Sequence, residues 1–105
     1  LVYTAIAYDC IQPTLTAAEK KNIADNAFAP EVNFITNDLN SWFNLIHNHA
    51  VWATAGVGLV GIATDNPTYI QKALYGTNAA KNTGFIALMH QLFSPDGYYT
   101  EGPYY

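Results

Sequence analysis

Apolar and polar positions along the chain fall into short helical-period stripes separated by Pro, Gly and Asn, and no stretch alternates as a strand would. Apolar residues lie nearly all round Leu1 to Cys10 (Leu1, Val2, Ile6, Ala7) and Pro13 follows, which predicts a mostly buried helix. Thr16-Ala17-Ala18-Glu19 has the spacing of a capping box, and Ile23, Ala24, Ala27 and Phe28 then form a stripe that Pro30 is expected to end. These two helices make an αα-hairpin. Asn33 to Asn37 reads as irregular. A third helix starts at Asn37 or Asp38, with Leu39, Trp42, Phe43, Leu45 and Ile46 as its apolar face, until His47-Asn48-His49 interrupts it.

The run from Ala50 to Thr64 carries no charge and reads as a buried helix, with a break expected near Asn48 because uninterrupted helix to Ala63 would be unusually long. Asp65-Asn66-Pro67 opens a further helix through Ile70, Ala73 and Leu74 to Gly76. Asn82 or Thr83 opens another, bearing Phe85, Ile86, Leu88, Met89 and Leu92. Ser94-Pro95-Asp96-Gly97 is a turn, and the Tyr-rich stretch after it, with Gly102 and Pro103, reads as an ordered extended loop. The fold class expected is all-α, built of helical hairpins with that loop at the C-terminus.

Composition changes this picture in one respect. At 105 residues the chain suffices for one core, but charged residues make up 11%, well below the usual share of about 25%, so surface that meets a partner is expected. A start at Leu1 and a stop at Tyr105 lead us to expect a single helical segment, residues 1–105, of a longer protein whose remainder completes the fold. Four lysines against eight acids, a net charge of −4, make a nucleic-acid partner improbable. The uncharged run is shorter than the roughly 20 residues that span a bilayer, so no membrane span is expected. Cys10 stands alone, which excludes an internal disulfide and a Cys-based zinc site within these residues.

Several residues invite a chemical reading. Gly56-Val57-Gly58-Leu59-Val60-Gly61 has the spacing of a dinucleotide fingerprint, yet no strand precedes it and no acid follows about 20 positions on, so these glycines are read as close helix packing. His47 and His49 are two apart, which in a helix directs them to different faces, and with no second Cys no metal or cofactor is expected here. Asp96 and Glu101 could serve a glycoside hydrolase as acid and base, although Asp96 is at home in a turn. Asn48 has an ordinary role open to it as an N-cap, and Trp42 and Trp52 one in packing. An amide and an imidazole ahead of a buried helix, with a Tyr-rich Gly-Pro loop later in the chain, form a conjunction that invites a site.

At these residues the chain resembles the heparinase II/III-like and alginate lyase group of polysaccharide lyases. The likeness rests on Asn48-His49 leading into Ala50-Val51-Trp52-Ala53, on Leu92-Phe93-Ser94-Pro95-Asp96-Gly97, and on Tyr99-Thr100-Glu101-Gly102-Pro103-Tyr104-Tyr105, with Ala7-Tyr8-Asp9 as a weaker match. The resemblance implies a segment of an incomplete (α/α) toroid, whose family β-sheet domain is absent from these residues. It implies Asn48, His49 and Tyr105 as catalytic residues, with Tyr104 one position off as a second candidate, and Trp52, Tyr99 and Glu101 as substrate-binding residues. The activity implied is β-elimination on a 4-linked uronic-acid polysaccharide, heparan-like or alginate, by a periplasmic or secreted enzyme. The isolated segment is expected to be inactive, and a non-catalytic carbohydrate-binding module is the reading that competes.

Overall fold

A computed structural model describes residues 1–78, 81–100 and 102. Among them the chain is helical, with a single antiparallel bridge between Phe93 and Tyr99. Helix α1 spans Val2–Ile11 and passes into a 3-10 turn, Gln12–Thr14, where Pro13 is tolerated because the first turn of a helix leaves its N–H groups unpaired anyway. Only Ala5 and Tyr8 of α1 are buried; Tyr3, Ile6 and Ile11 face outward, so the mostly buried helix expected here is amphipathic in position though not in composition.

Helix α2, Ala17–Ile23, begins with the expected capping box: Thr16 Oγ1 accepts from the Glu19 amide at 3.3 Å, and the Thr16 amide donates to the Glu19 carboxylate at 2.8 Å. Pro30 does not end it. A π turn, Ala24–Phe28, intervenes, with the Ala29 amide reaching five residues back to the Ala24 carbonyl. Pro30 thereby falls in the first turn of α3, Ala29–Asn33, where its missing N–H costs little. A second π turn, Phe34–Asp38, follows where irregular chain was expected, closed by the Leu39 amide on the Phe34 carbonyl at 2.9 Å. The predicted third helix is reduced to α4, Asn40–Phe43, and a turn.

Helix α5, Asn48–Ala63, is 16 residues long, about 24 Å, and is the element against which α1, α4, α6 and α7 pack. It closes on a Schellman arrangement: Asn66 N–H to Gly61 O at 2.7 Å and Asp65 N–H to Ile62 O at 3.2 Å, with Asp65 at φ 52°. Helix α6, Pro67–Tyr75, starts as expected, Asn66 Oδ1 accepting from the Thr68 and Tyr69 amides with Pro67 in the first turn.

Helix α7, Gly84–Leu92, follows Thr83. The glycines of the fingerprint-like run sit in the helix interior. A Cβ at Gly61 would stand 2.8 Å from Ile70 Cγ1 and backbone N, and one at Gly58 would stand 3.2 Å from Ala73 Cβ, so α5 and α6 are closer than side chains at these positions would allow.

The apolar interior forms two clusters rather than the one core that length suggests. The larger joins Ala5, Tyr8, Phe28, Val32, Phe43, Val57, Val60 and Ala73, with Tyr8 and Phe28 edge to face at 5.2 Å. The smaller joins Ala50, Leu88 and Leu92 at the N-terminal end of α5. The radius of gyration is 14.7 Å over extents of 45 × 27 × 19 Å, against about 13 Å for a compact domain of this length. Trp42, Trp52, Ile62, Phe85 and other large apolar side chains are exposed, in keeping with the low charge content.

Candidate active site

The start of α5 is fixed by His47, not by Asn48. His47 is extended, φ −163° and ψ 172°, and its Nδ1 accepts the His49 amide at 3.0 Å, doing for this helix what an Asn or Ser oxygen does elsewhere. Its carbonyl receives the Ala50 and Val51 amides at 3.1 and 3.3 Å. An accepting Nδ1 leaves the His47 ring proton on Nε2. Asn48 is therefore the first helical residue, half-buried, His49 the second and exposed, and Ala50 the first that enters the interior. The capping role open to Asn48 is taken by its neighbour, while the helix N-terminus lends this corner a positive potential of about half a charge.

Because His47 lies outside the helix, the two imidazoles are not sent to different faces. Their centroids are 5.2 Å apart with the rings at 89°. Trp42, from α4, stacks on His49 at 5.3 Å and 25°, and meets His47 edge-on at 5.9 Å and 82°. Trp42 is 54% and Trp52 59% exposed among the described residues, and the packing of Trp42 is on the two imidazoles. Trp52 lies one turn further along α5.

The C-terminal turn brings a second set of residues to the same end. Gly97 N–H bonds Ser94 O at 2.8 Å, Ser94 N–H bonds Tyr98 O at 2.9 Å, and Thr100 N–H returns to Leu92 O at 2.8 Å. The chain thus doubles back on the end of α7. Tyr99, half-buried, packs on the cluster of Ala50, Leu88 and Leu92, its ring 5.3 Å from that of Phe93. The candidate binding residue Tyr99 accordingly packs on the cluster that holds Ala50, the residue after His49. Glu101, Tyr104 and Tyr105 lie outside the described residues.

Asp96 accepts from Ser94 Oγ, and that hydrogen bond, helped by the Asp96 and Tyr98 amides, holds its carboxyl below the usual range. A glycosidase acid needs the opposite shift, so this hydrogen bond suits Asp96 to the turn and not to the acid's part in such a pair. No group of three His, Cys, Asp or Glu side chains able to hold a metal occurs among the described residues.

A buried residue that sequence reading passed over supports this corner. Asn44, just after α4, donates Nδ2 to Asn40 O at 2.9 Å and to Thr77 Oγ1 at 2.7 Å, and accepts on Oδ1 from the Thr77 amide at 2.9 Å and from Thr83 Oγ1 at 3.1 Å. Both donors and both acceptor sites of the amide are used. Thr83 precedes α7, as expected, but spends its hydroxyl on Asn44 in place of a cap. Gly76 and Gly84 make the approach possible: both have positive φ, 75° and 83°, and a Cβ on Gly76 would stand 2.2 Å from Thr83 Oγ1. The visible signal was a lone amide among Trp42, Phe43, Leu45 and Ile46.

No helix of the described residues is long and apolar enough to cross a membrane. No protein-family model matches the chain. It is 43% identical over 105 residues to an exo-oligoalginate lyase of Saccharophagus degradans, the match covering 100% of this chain and 14% of that protein. It is 37% identical over 105 residues to an alginate lyase of Stenotrophomonas maltophilia, again 100% of this chain and 14% of the relative. The chain thus spans about a seventh of the length of the curated relatives it matches. Matches of this identity over all 105 residues carry one conclusion: the chain is similar, as a segment, to proteins of the alginate lyase group.

Proposed function

We propose that the protein carrying this segment is an alginate-cleaving polysaccharide lyase, and that Asn48, His49 and Tyr105 belong to its catalytic site. The observation that carries the reading is identity along the whole chain to two proteins both named for alginate cleavage, which favours alginate over a heparan-like polymer. The packing of Tyr99 on the cluster that holds Ala50, the residue after His49, supports it.

The chemistry assigns each residue a task. β-Elimination removes the proton at C5 of a 4-linked uronate, breaks the bond from C4 to the glycosidic oxygen, forms the C4–C5 double bond and protonates the departing oxygen. The carboxylate on C5 resists this, because losing the proton adds charge beside an anion. Asn48 donates its amide to that carboxylate at the positive end of α5, so the developing charge meets a fixed donor. Tyr105 gives the proton to the leaving oxygen and, for one sugar configuration, takes the C5 proton as phenolate. His49 assists the phenol or serves as base from the opposite face. Trp52, Tyr99 and Glu101 line the sugar path, with Tyr104 the alternative phenol.

Around this site we place the segment in an incomplete (α/α) toroid of a periplasmic or secreted enzyme, whose β-sheet domain completes the cleft. Oligoalginate treated with the full-length protein should yield products with the ultraviolet absorbance of a conjugated uronate and no added water. Tyr105→Phe should lower the rate by about 10²–10³. Saturated products one water heavier would assign the protein to hydrolysis and defeat the reading.

A further inference from the structure

Trp42 raises a question that packing does not answer, since more than half of it is exposed while its ring lies nearly parallel to an imidazole. We propose that Trp42 and His47 are positioning residues of this site, two walls that hold the His49 ring in one pose at the start of α5. The inference rests on the reading of Asn48 and His49 as site residues.

Three contacts define the pose. The indole covers one face of the imidazole at 5.3 Å and 25°, and His47 stands against it at right angles, 5.2 Å away. Through Nδ1, His47 also holds the backbone amide of His49 at 3.0 Å, so main chain and ring are constrained by the same neighbour. The two walls brace each other, Trp42 meeting His47 edge-on at 5.9 Å.

Each wall has its own anchor. Phe43, next to Trp42, is buried in the larger cluster, and Asn44 ties the turn that follows to Thr77 and Thr83. An exposed imidazole in the first turn of a helix would otherwise sample several staggered rotamers, and a proton carrier displaced by 1 Å can lose a factor of about 10² in rate. Nothing in this arrangement requires Trp42 to touch the sugar.

The test is steady-state kinetics of the full-length protein on alginate oligomers. Trp42→Leu keeps apolar bulk without a ring, Trp42→Phe keeps a ring, and His49→Ala removes the group being held. The inference expects Trp42→Leu to lower kcat roughly ten- to a hundredfold with KM little changed. It expects Trp42→Phe to recover most of that loss, and Trp42→Leu to cost nothing more in the His49→Ala background.

A raised KM with kcat retained would make Trp42 a platform for sugar and overturn the inference. So would a loss that adds in full to that of His49→Ala. If His49→Ala alone leaves turnover intact, the reading of the site has failed first; if His49→Ala abolishes turnover while Trp42→Leu and His47→Asn do not lower kcat, only the positioning role has failed.

Discussion

Asn44 and Gly61 show how single residues hold the site's surroundings. Replacing Asn44 by Ala leaves the buried Thr83 hydroxyl and the part-buried Thr77 amide without their acceptor, which should destabilise the fold by about 1–3 kcal/mol, read by thermal or denaturant unfolding of the full-length protein. Gly61→Ala puts a Cβ 2.8 Å from Ile70, where backbone as well as side chain must yield, and should cost a further 1–3 kcal/mol, roughly, by forcing α5 and α6 apart. The glycine run was legible as packing from its apolar setting. Asn44 was not, because its partners Thr77 and Thr83 lie more than thirty residues away and no local pattern announces them.

At the scale of elements, helix starts were readable wherever the chemistry is local. Thr16 with Glu19, Asn66 with Pro67, and the Ser94 turn all stand where residue types and spacing put them. The exceptions have physical causes. Pro30 was expected to stop a helix, yet a π turn ahead of it shifts the hydrogen-bond register so that no donor is missed. His47 took a cap that was open to Asn48, because a ring nitrogen can accept as an oxygen does and residue preferences rank Asn higher.

The Thr16–Glu19 box also predicts a pH dependence. Its hydrogen bonds hold the Glu19 carboxyl below its ordinary value of 4.5, so its contribution is complete above pH 4.5 and is lost as pH falls through the lowered folded value. Amide exchange in the first turn of α2 should quicken across that acid window. Glu19→Gln should make exchange there insensitive to pH beyond the intrinsic chemical rate.

On the scale of the whole molecule, all-α architecture was legible and the distribution of its core was not. Two clusters meet along α5, one between α1 and α6 and one beneath α7, because the chain is drawn out to 45 Å and does not close on itself. Apolar periodicity tells which face of a helix is buried but not which neighbour buries it. Ile6, Trp52 and Phe85 therefore read as packed and are exposed among the described residues.

An apolar exterior of this kind binds hydrophobic dyes and associates. The isolated 105 residues should do both and cleave no alginate, whereas the full-length protein should show little dye binding. Dye fluorescence and sedimentation of the two side by side make the comparison.

The claim on which the rest depends is that the amide at the start of α5 shares the charge of a uronate during elimination. Initial rates of ultraviolet-absorbing product from oligoalginate, for the full-length protein and its Asn48→Ala variant at matched circular dichroism, test it most directly. The account predicts a fall of about 10²–10³. An unchanged rate in Asn48→Ala would contradict it.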